Sequence, residues 1–568
     1  MVDGSLATST RSPFGRSWPR RLLKVLSLLV ISVAALVVTL AGWAWWSLRG
    51  SLPELDDERE LTGLKGEVRI ERDALGIPTL RGSHRLDVAL ATGYVHGQDR
   101  FFQMDLLRRR ATGELGGLLG RRARDADARI RVHRLRQVAR RALDSEPPAR
   151  QALIEAYARG VNAGLDSLAR PPFEYLVLRT APAAWKPEDS YAVLLAMFLQ
   201  VQGENGEYES ALGLLRDELP PALFEFLTPR GTEWDTAIDS TILAGGPLPT
   251  SEEVRLATTH SSDSSRPIGP RLDQADGADA GSTADTGSNA WAVAGSRTAD
   301  GRAILANDMH LGLSLPNIWY RAALVWPGHE VTGITLPGVP VIVSGSNGRV
   351  AWGFTNSQID TSDVILFSPE EADDDTYLTP TGREPYRRHQ ETLRFSDGSE
   401  EILEVVWTRW GPLLATDHRG RRKAVRWVGH EPAAVNLHLL ELETAANVDQ
   451  AVAIANRSGM PAQNLLTADA DGRIAWTIAG ILPRRVGFDG RLPGSWSDGS
   501  RSWRGWLAPE EVPRVIDPES GLLWSANQRM VGGEMLAKLG DGSYMLAARA
   551  RQIRDRLEAL DQPRELDM

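Results

Sequence analysis

Residues 287–295 read Gly287-Ser288-Asn289-Ala290-Trp291-Ala292-Val293-Ala294-Gly295. The apolar residues after Ser288 suit a short strand, with the serine at its head. If the Gly287–Ser288 bond breaks, Ser288 acquires a free α-amine beside its own hydroxyl. An α-amine titrates at roughly 7.7–8, so it can take the hydroxyl proton near neutral pH, directly or through one water. Nucleophile and base then come from one residue, and no His/Asp pair is needed. Glycine at 287 tolerates a strained peptide poised for attack by the hydroxyl. Serine after glycine is also a common turn residue, so this run by itself leaves both readings open.

Upstream lies a segment of different character. Residues 245–287 contain no Phe, Trp or Tyr and are rich in Ser, Thr, Asp, Ala and Gly. So long a featureless stretch is either functional or a linker, and it reads as a spacer propeptide or an interdomain linker. Before it, residues 52–244 are mostly helical in pattern. A strand is expected at 67–70 and a turn at 73–78. In the helix expected over 87–107, Val88, Ala91, Val95, Phe102 and Leu106 recur mostly at three- to four-residue steps. His96 on that helix reads as a satisfied core histidine, and Gly113-Glu114-Leu115-Gly116-Gly117 as a helix end. Beyond Ser288, short strands are expected at 290–295, 303–306, 341–343, 350–353, 402–410 and 474–481. The fold class is therefore α+β: a helical first part, a spacer and a β-rich second part. A chain of 568 residues exceeds what one core usually organises.

Composition removes several classes of function. An apolar fraction of 42% with 24% charged residues excludes a mainly disordered chain, a collagen and a many-span transporter. The net charge of −10 provides no global basic field for nucleic acid, which is not expected as a partner. With no cysteine there are no disulfides, cysteine nucleophiles, thiolate zinc sites or iron–sulfur clusters. No GxSxG elbow, Walker A loop, HExxH pair or EF-hand loop is present. Residues 25–46 carry no charge and follow Arg11, Arg16, Arg20, Arg21 and Lys24. They are long enough to cross a bilayer, which takes about 20 apolar residues. The basic flank places residues 1–24 in the cytoplasm, and the body from about residue 52 in the periplasm or outside. Trp43, Trp45 and Trp46 suit the far interface. The alternative is a cleaved signal, faintly twin-arginine at Arg20-Arg21, which would leave a secreted or periplasmic protein.

Several separate motifs, in order, carry a family resemblance. Arg72-Asp73 with Gly76-Ile77-Pro78, and Gly93-Tyr94-Val95-His96-Gly97-Gln98-Asp99-Arg100 with Gln103-Met104, come first. Ser288-Asn289-Ala290-Trp291, Asn307-Asp308-Met309-His310-Leu311, Gly345-Ser346-Asn347-Gly348 and Ala351-Trp352-Gly353-Phe354-Thr355-Asn356 follow. Ala468-Asp469, Asp471-Gly472 and Ser525-Ala526-Asn527 complete the series. This set resembles the penicillin acylase family of N-terminal-nucleophile amidohydrolases over about residues 67–560.

The resemblance implies a four-layer αββα sandwich with a helical α-chain part. It makes Ser288 the nucleophile, released by autocatalytic cleavage at Gly287-Ser288 so that the two fragments of one precursor stay associated. Asn356, by its backbone N–H, and Asn527, by its side-chain amide, would form the oxyanion hole. His310 would position nucleophile and substrate, and Arg549 would orient Asn527 or the substrate. Turn, surface or structural roles are the alternatives for these four. The substrate would be an N-acylated small molecule such as a β-lactam side-chain amide or an N-acyl homoserine lactone, with Phe101, Phe102 and Trp319 as lining candidates. A structural calcium ion is also implied, held by Asp360, Ser362 and Asp363 with Glu207 or Glu209, the Pro493 carbonyl and Asp541; an acidic solvated turn is the alternative. Residues 288–568 are shorter than that family's β chain, so the β-chain-like region is expected to be incomplete at its C-terminus. Two other readings stay open: a membrane-anchored, non-catalytic binding or scaffold protein, and a serine hydrolase with a different base.

Overall fold

The computed structural model describes residues 18–251, 254, 287–312 and 314–568. Most of the expected spacer, and the basic tail before Trp18, lie outside these residues. Helix α1, Trp18–Gly50, begins earlier and ends later than the uncharged run. Its residues 22–50 are long and apolar enough to cross a membrane, and the most apolar 18-residue stretch is not buried against the body. The end of α1 is tied down at Arg170, whose N–H donates to the Gly50 carbonyl at 2.8 Å and whose guanidinium lies 4.0 Å from the Trp46 ring.

Among the described residues the strands form one nine-stranded sheet, two of three strands and three of two, and the candidate site lies between the large sheet and the three-stranded sheet that contains the strand Gly287–Val293. In chain order they begin with β1 (Val68–Arg72), β2 (Pro78–Gly82), β3 (Gly287–Val293) and β4 (Ile304–His310). Then follow β5 (Tyr320–Trp326), β6 (His329–Thr335), β7 (Ile342–Ser346) and β8 (Val350–Asn356). The large sheet has nine strands in the order β1-β2-β5-β6-β7-β8, then Gln463–Asp469, Ile474–Ala479 and Arg514–Ile516. Neighbours are antiparallel except β2 and β5, which run parallel. The sequence suggests a helical part followed by a β-rich part, yet β1 and β2 extend the second part's sheet. The two parts share one core, from Leu80 and Val88 to Leu324 and Phe354.

The small sheet orders Leu522–Ser525, β3 and β4. Side chains alternate across β3, as strand geometry requires. Ala290 and Ala292 face the large sheet with Leu466, Ile474 and Trp476. Trp291 and Val293 face outward with Trp524 and the helix Ala548–Ala559. The strand begins at Gly287, three residues before its expected start, because pairing with β4 runs from Gly287 opposite His310 to Val293 opposite Ile304.

On the first part's side, helix α2 (Arg85–Thr112) packs on the helix Pro148–Asp166 at very short range. A Cβ on Gly97 would lie 2.2 Å from the Val161 carbonyl oxygen, and one on Gly160 would lie 1.9 Å from that of Leu90. Glycine every fourth residue is thus a backbone-contact seam. His96 is fully buried between Tyr157 Oη at 2.8 Å and Thr335 Oγ1 at 3.0 Å. Burial pushes its pKa down to about 3, so it is a neutral core residue, as its apolar setting suggests. Helix α2 ends at Gly113 with φ of 62°, a left-handed cap that glycine adopts freely.

Gly97→Val should force the two helices apart. Overpacking of this kind typically costs about 1–3 kcal/mol, and the expected result is a lower midpoint in chemical denaturation.

Candidate active site

Ser288 heads β3 and is 4% exposed. Its N–H donates to Asn527 Oδ1 at 2.8 Å, across 239 residues of sequence. Asn527 follows the last strand of the small sheet and has φ of 69°, a conformation asparagine tolerates better than most side chains. This backbone turn aims its amide back at β3. The Asn527 Nδ2 donates to the Asn356 carbonyl at 2.9 Å, so one amide joins the ends of β3 and β8.

Arg549 comes from the helix Ala548–Ala559 packed on the small sheet. Its guanidinium donates to the Ser288 carbonyl at 3.1 Å, Asn289 Oδ1 at 2.7 Å, and the Ala526 carbonyl and Asn527 Oδ1 at 3.0 Å each. Arg549 is thus partly buried and bonded to four acceptors at the head of β3 and the Asn527 turn. Asn289 Nδ2 in turn donates to Asp308 Oδ2 at 3.2 Å, and the same oxygen lies 3.0 Å from His310 Nδ1. Asp308 and His310 are two apart on β4 and so share a face. That spacing was the available signal for Asp308, which the motifs name without a role. A Cβ on Gly287 would meet His310 Nε2 at 2.7 Å and Arg549 at 3.3 Å, so a side chain before the serine would have to displace the His310 ring.

Asn307 is a second residue whose role the motif conceals. Its Nδ2 donates to the Asn289 carbonyl at 3.0 Å and the Phe354 carbonyl at 2.8 Å. Its Oδ1 accepts from the Phe354 N–H at 3.1 Å and the Ser344 hydroxyl at 3.0 Å. The side chain thereby locks β3 and β4 onto β7 and β8. Gly353 accommodates it, since a Cβ there would lie 2.7 Å from Asn307 Cβ.

Ser288 and Asn356 border a cavity of about 90 Å³ walled by Met197, Met309, Trp319, Leu336, Phe354 and Met460. An apolar cavity with a few convergent polar groups is the make-up of a small-molecule site. Of the three aromatic candidates, Trp319 lines it. Phe101, in the core beside Tyr175 and Trp185, and Phe102 both border a larger open groove of about 1170 Å³ near the end of α1.

The expected calcium ligands fall into a buried group, Asp360, Asp363 and Glu209, and an outer group, Glu207, Pro493 and Asp541. Asp360 and Asp363 are buried together, and the carboxylate that joins them from the helical part is Glu209, not Glu207. Glu207 is exposed and accepts from Asn205 Nδ2 at 2.9 Å. The Pro493 carbonyl accepts from Arg216 at 3.4 Å, and Asp541 accepts from the Ser543 N–H at 3.0 Å. The Ser362 carbonyl faces the Arg485 guanidinium at 3.4 Å. Among the described residues, no group of three His, Cys, Asp or Glu side chains is arranged to hold a metal. Arg485 bonds to one oxygen of each aspartate, and the other two, Asp360 Oδ2 and Asp363 Oδ1, are buried with no hydrogen-bond partner, so oxygens of the kind a cation takes are present beside it.

A strand-borne serine, held by an asparagine and an arginine at the mouth of an apolar cavity, defines a site built around one buried polar cluster. Comparison with known proteins gives it a family. The family model for penicillin amidase matches residues 67–568. The penicillin acylase 2 proenzyme of Pseudomonas sp. (strain SE83) is 32% identical over 498 residues, covering 86% of this chain and 62% of that protein. The acyl-homoserine lactone acylase QuiP of Pseudomonas aeruginosa is 31% identical over 528 residues, covering 89% of this chain and 60% of that protein. Among solved structures, a thermostable penicillin G acylase from Alcaligenes faecalis matches with 22% identity and a TM-score of 0.44, over 49% of this chain and 50% of that one. The chain belongs to the penicillin amidase family. It spans about 60% of the length of these curated relatives.

Asn307→Leu should strand backbone groups of both sheets. Each buried polar group left without a partner costs roughly 1–3 kcal/mol. Urea denaturation should therefore show a clear loss of stability, larger than that of Asn289→Ala at the rim.

Proposed function

We propose that the protein is an amidohydrolase of the acylase type, with Ser288 as nucleophile after cleavage of the Gly287–Ser288 bond. The observation that carries this reading is the Asn527 amide, which pins the nitrogen of Ser288 beside an apolar cavity. That nitrogen is the atom that becomes the α-amine when the bond before it is cut. Family membership, and the names of relatives that act on penicillins and acyl-homoserine lactones, support the reaction class. The architecture is read as the family's αββα sandwich, since one helix packs outside the small sheet and others cover the far side of the large one.

The proposed reaction converts an N-acyl amide and water to a carboxylic acid and an amine. The Ser288 hydroxyl attacks the amide carbonyl while the α-amine takes its proton. The oxyanion rests on the Asn356 N–H and on Asn527 Nδ2. A side-chain amide has two N–H donors, so Asn527 can keep its bond to the Asn356 carbonyl and offer the second. Each such donor contributes a few kcal/mol to the transition state, about 2.7–4 in a measured case. The leaving amine takes the proton back, and water then hydrolyses the ester. Arg549 holds Asn527 Oδ1, which fixes the amide's direction, and His310, steadied by Asp308, lies against the peptide to be cut.

The acyl group would occupy the cavity walled by Met309, Trp319 and Phe354. An apolar acyl chain or ring suits those walls, and N-acyl homoserine lactones or β-lactam side-chain amides are the substrate classes. The first part would end near residue 244. Just before that point, the Ile238 N–H donates to the Met530 carbonyl at 2.9 Å, and Trp524 Nε1 donates to the Thr236 carbonyl at 2.9 Å. These bonds would keep the two fragments together. Helix α1 would anchor the body outside the cytoplasmic membrane, or serve as its export signal.

Purified protein should run as two fragments, and Edman sequencing of the second should begin at Ser288. Ser288→Ala should remain one chain and lose hydrolysis. An intact chain with activity undiminished by that change would overturn the reading. The base is an amine that works only when deprotonated. Hydrolysis by the mature protein should therefore rise through roughly pH 7.7–8 and level off above it. A profile flat from pH 6 to 9 would count against the α-amine.

A further inference from the structure

Thr355 precedes Asn356 on β8, and Ser525 ends the strand Leu522–Ser525, two residues before Asn527. Their hydroxyl oxygens lie 2.6 Å apart, a bond from the large sheet to the small one. Asn464 sits opposite Thr355 on the neighbouring strand Gln463–Asp469. Its Nδ2 donates to Thr355 Oγ1 at 3.1 Å and to Ser525 Oγ at 3.3 Å. Trp476 Nε1 donates to Asn464 Oδ1 at 3.0 Å. An indole N–H can only donate, so this bond marks Oδ1 as the carbonyl oxygen and turns Nδ2 to the two hydroxyls. Each hydroxyl then accepts from Asn464, and one of them donates to the other. All four side chains are fully buried.

The two donors proposed for the oxyanion belong to different sheets. Asn356 ends β8 in the large sheet, and Asn527 follows the last strand of the small one. Asn307 ties β8 to β3, but its four bonds do not reach the strand Leu522–Ser525. The hydroxyl pair does, one residue before the first donor and two before the second. A threonine or serine reaches its partner through one torsion, and in threonine that torsion is stiff. The asparagine side chain that bonds Asn527 to the Asn356 carbonyl turns about two. The hydroxyl pair therefore holds backbone to backbone more tightly than the Asn527 amide alone. Such spacing matters because hydrogen bonds are effective over only about 2.7–3.2 Å. A misplacement of about 1 Å at a reacting centre can cost about 10²-fold in rate.

We propose that Thr355 and Ser525, oriented by Asn464, are positioning residues for the hydrolysis. Their bond sets the distance between the Asn356 N–H and the Asn527 amide, and with it the shape of the oxyanion site. The inference rests on the acylase reading above. None of the three residues lines the cavity beside Ser288, so they act through Asn356 and Asn527 and not on the substrate.

The test uses the cut protein and a series of N-acyl para-nitroanilides from acetyl to dodecanoyl, with benzylpenicillin and N-dodecanoyl homoserine lactone beside them. Thr355→Val keeps the shape of the side chain and removes its hydroxyl. On the substrate the parent hydrolyses fastest, it should lower kcat about tenfold, less than the roughly 10²–10³ lost with a whole oxyanion donor. KM should stay within about twofold, because an oxyanion is bound only in the transition state. Thr355→Ser keeps the hydroxyl and should retain most of the parent's kcat. Ser525→Ala should match Thr355→Val, and the double variant should fall little further, since both changes break one bond. Rates are read well below each variant's thermal midpoint, where a merely structural role would leave kcat unchanged. Parental kcat in Thr355→Val, a loss confined to KM, or a Thr355→Ser variant as slow as Thr355→Val would overturn the proposal and leave the acylase reading in place. A parent that hydrolyses none of these amides would overturn both. If Thr355→Val does not fold or is not cut, Ser525→Ala, read the same way, decides the matter.

Discussion

The Asn307 side chain bonds to both sheets at once, and the candidate site exists because of it. The small sheet carries Ser288, His310 and the approach to Asn527, while the large sheet carries Asn356 and most of the cavity wall. Sheets stacked only through apolar side chains can slide, since apolar contact is not directional. An amide that donates to carbonyls of β3 and β8 and accepts from Phe354 and Ser344 has one register in which all four bonds form. Asn527 applies the same logic at the strand ends, holding the Ser288 nitrogen and the Asn356 carbonyl on opposite sides of one amide. A buried polar network specifies geometry more sharply than it adds stability.

The join between the helical and β-rich parts follows a related principle. Arg85 pairs with Glu443 at 2.7 Å, Arg134 with Glu391 at 2.9 Å, and Arg150 with Glu441 at 2.5 Å, all across that join. The parallel pairing of β2 with β5 adds backbone bonds, and the shared core adds apolar contact. A chain cut between the parts would therefore keep its fold through contacts that do not depend on covalent continuity. These three arginines use the fixed fork of donors that suits a guanidinium to carboxylates.

Much of this was legible beforehand, and the exceptions share a cause. The strand at 287–293 could be read from alternation, with an error of three residues at its start. The α2 helix, its glycine cap and the neutral core role of His96 follow from local pattern. Asn356, Asn527 and Arg549 were placed only by resemblance, because nothing in their own neighbourhoods distinguishes them from turn or surface residues. The calcium expectation came the same way. It does not include Arg485, which lies 122 residues from Asp363 in sequence and reads locally as an ordinary basic strand residue. Asp308 could have been found from its two-residue spacing to His310, whereas Asn307, one position off that face, could not.

By itself the sequence determined what depends on a few consecutive residues. These are the head of β3 with its serine after a glycine, the uncharged helix near the N-terminus, the helical and strand periodicities, and the absence of cysteine chemistry. Only the tertiary structure decided which polar groups face one another. It set Asn527 against Ser288, Arg549 against both, and Arg485 between two aspartates. It also merged two apparently separate parts into one sheet. The physical reason is that hydrogen bonds and ion pairs act over about 3 Å. Residues one or two hundred positions apart are brought within that distance by sheet stacking and helix packing, which no periodicity along the chain encodes.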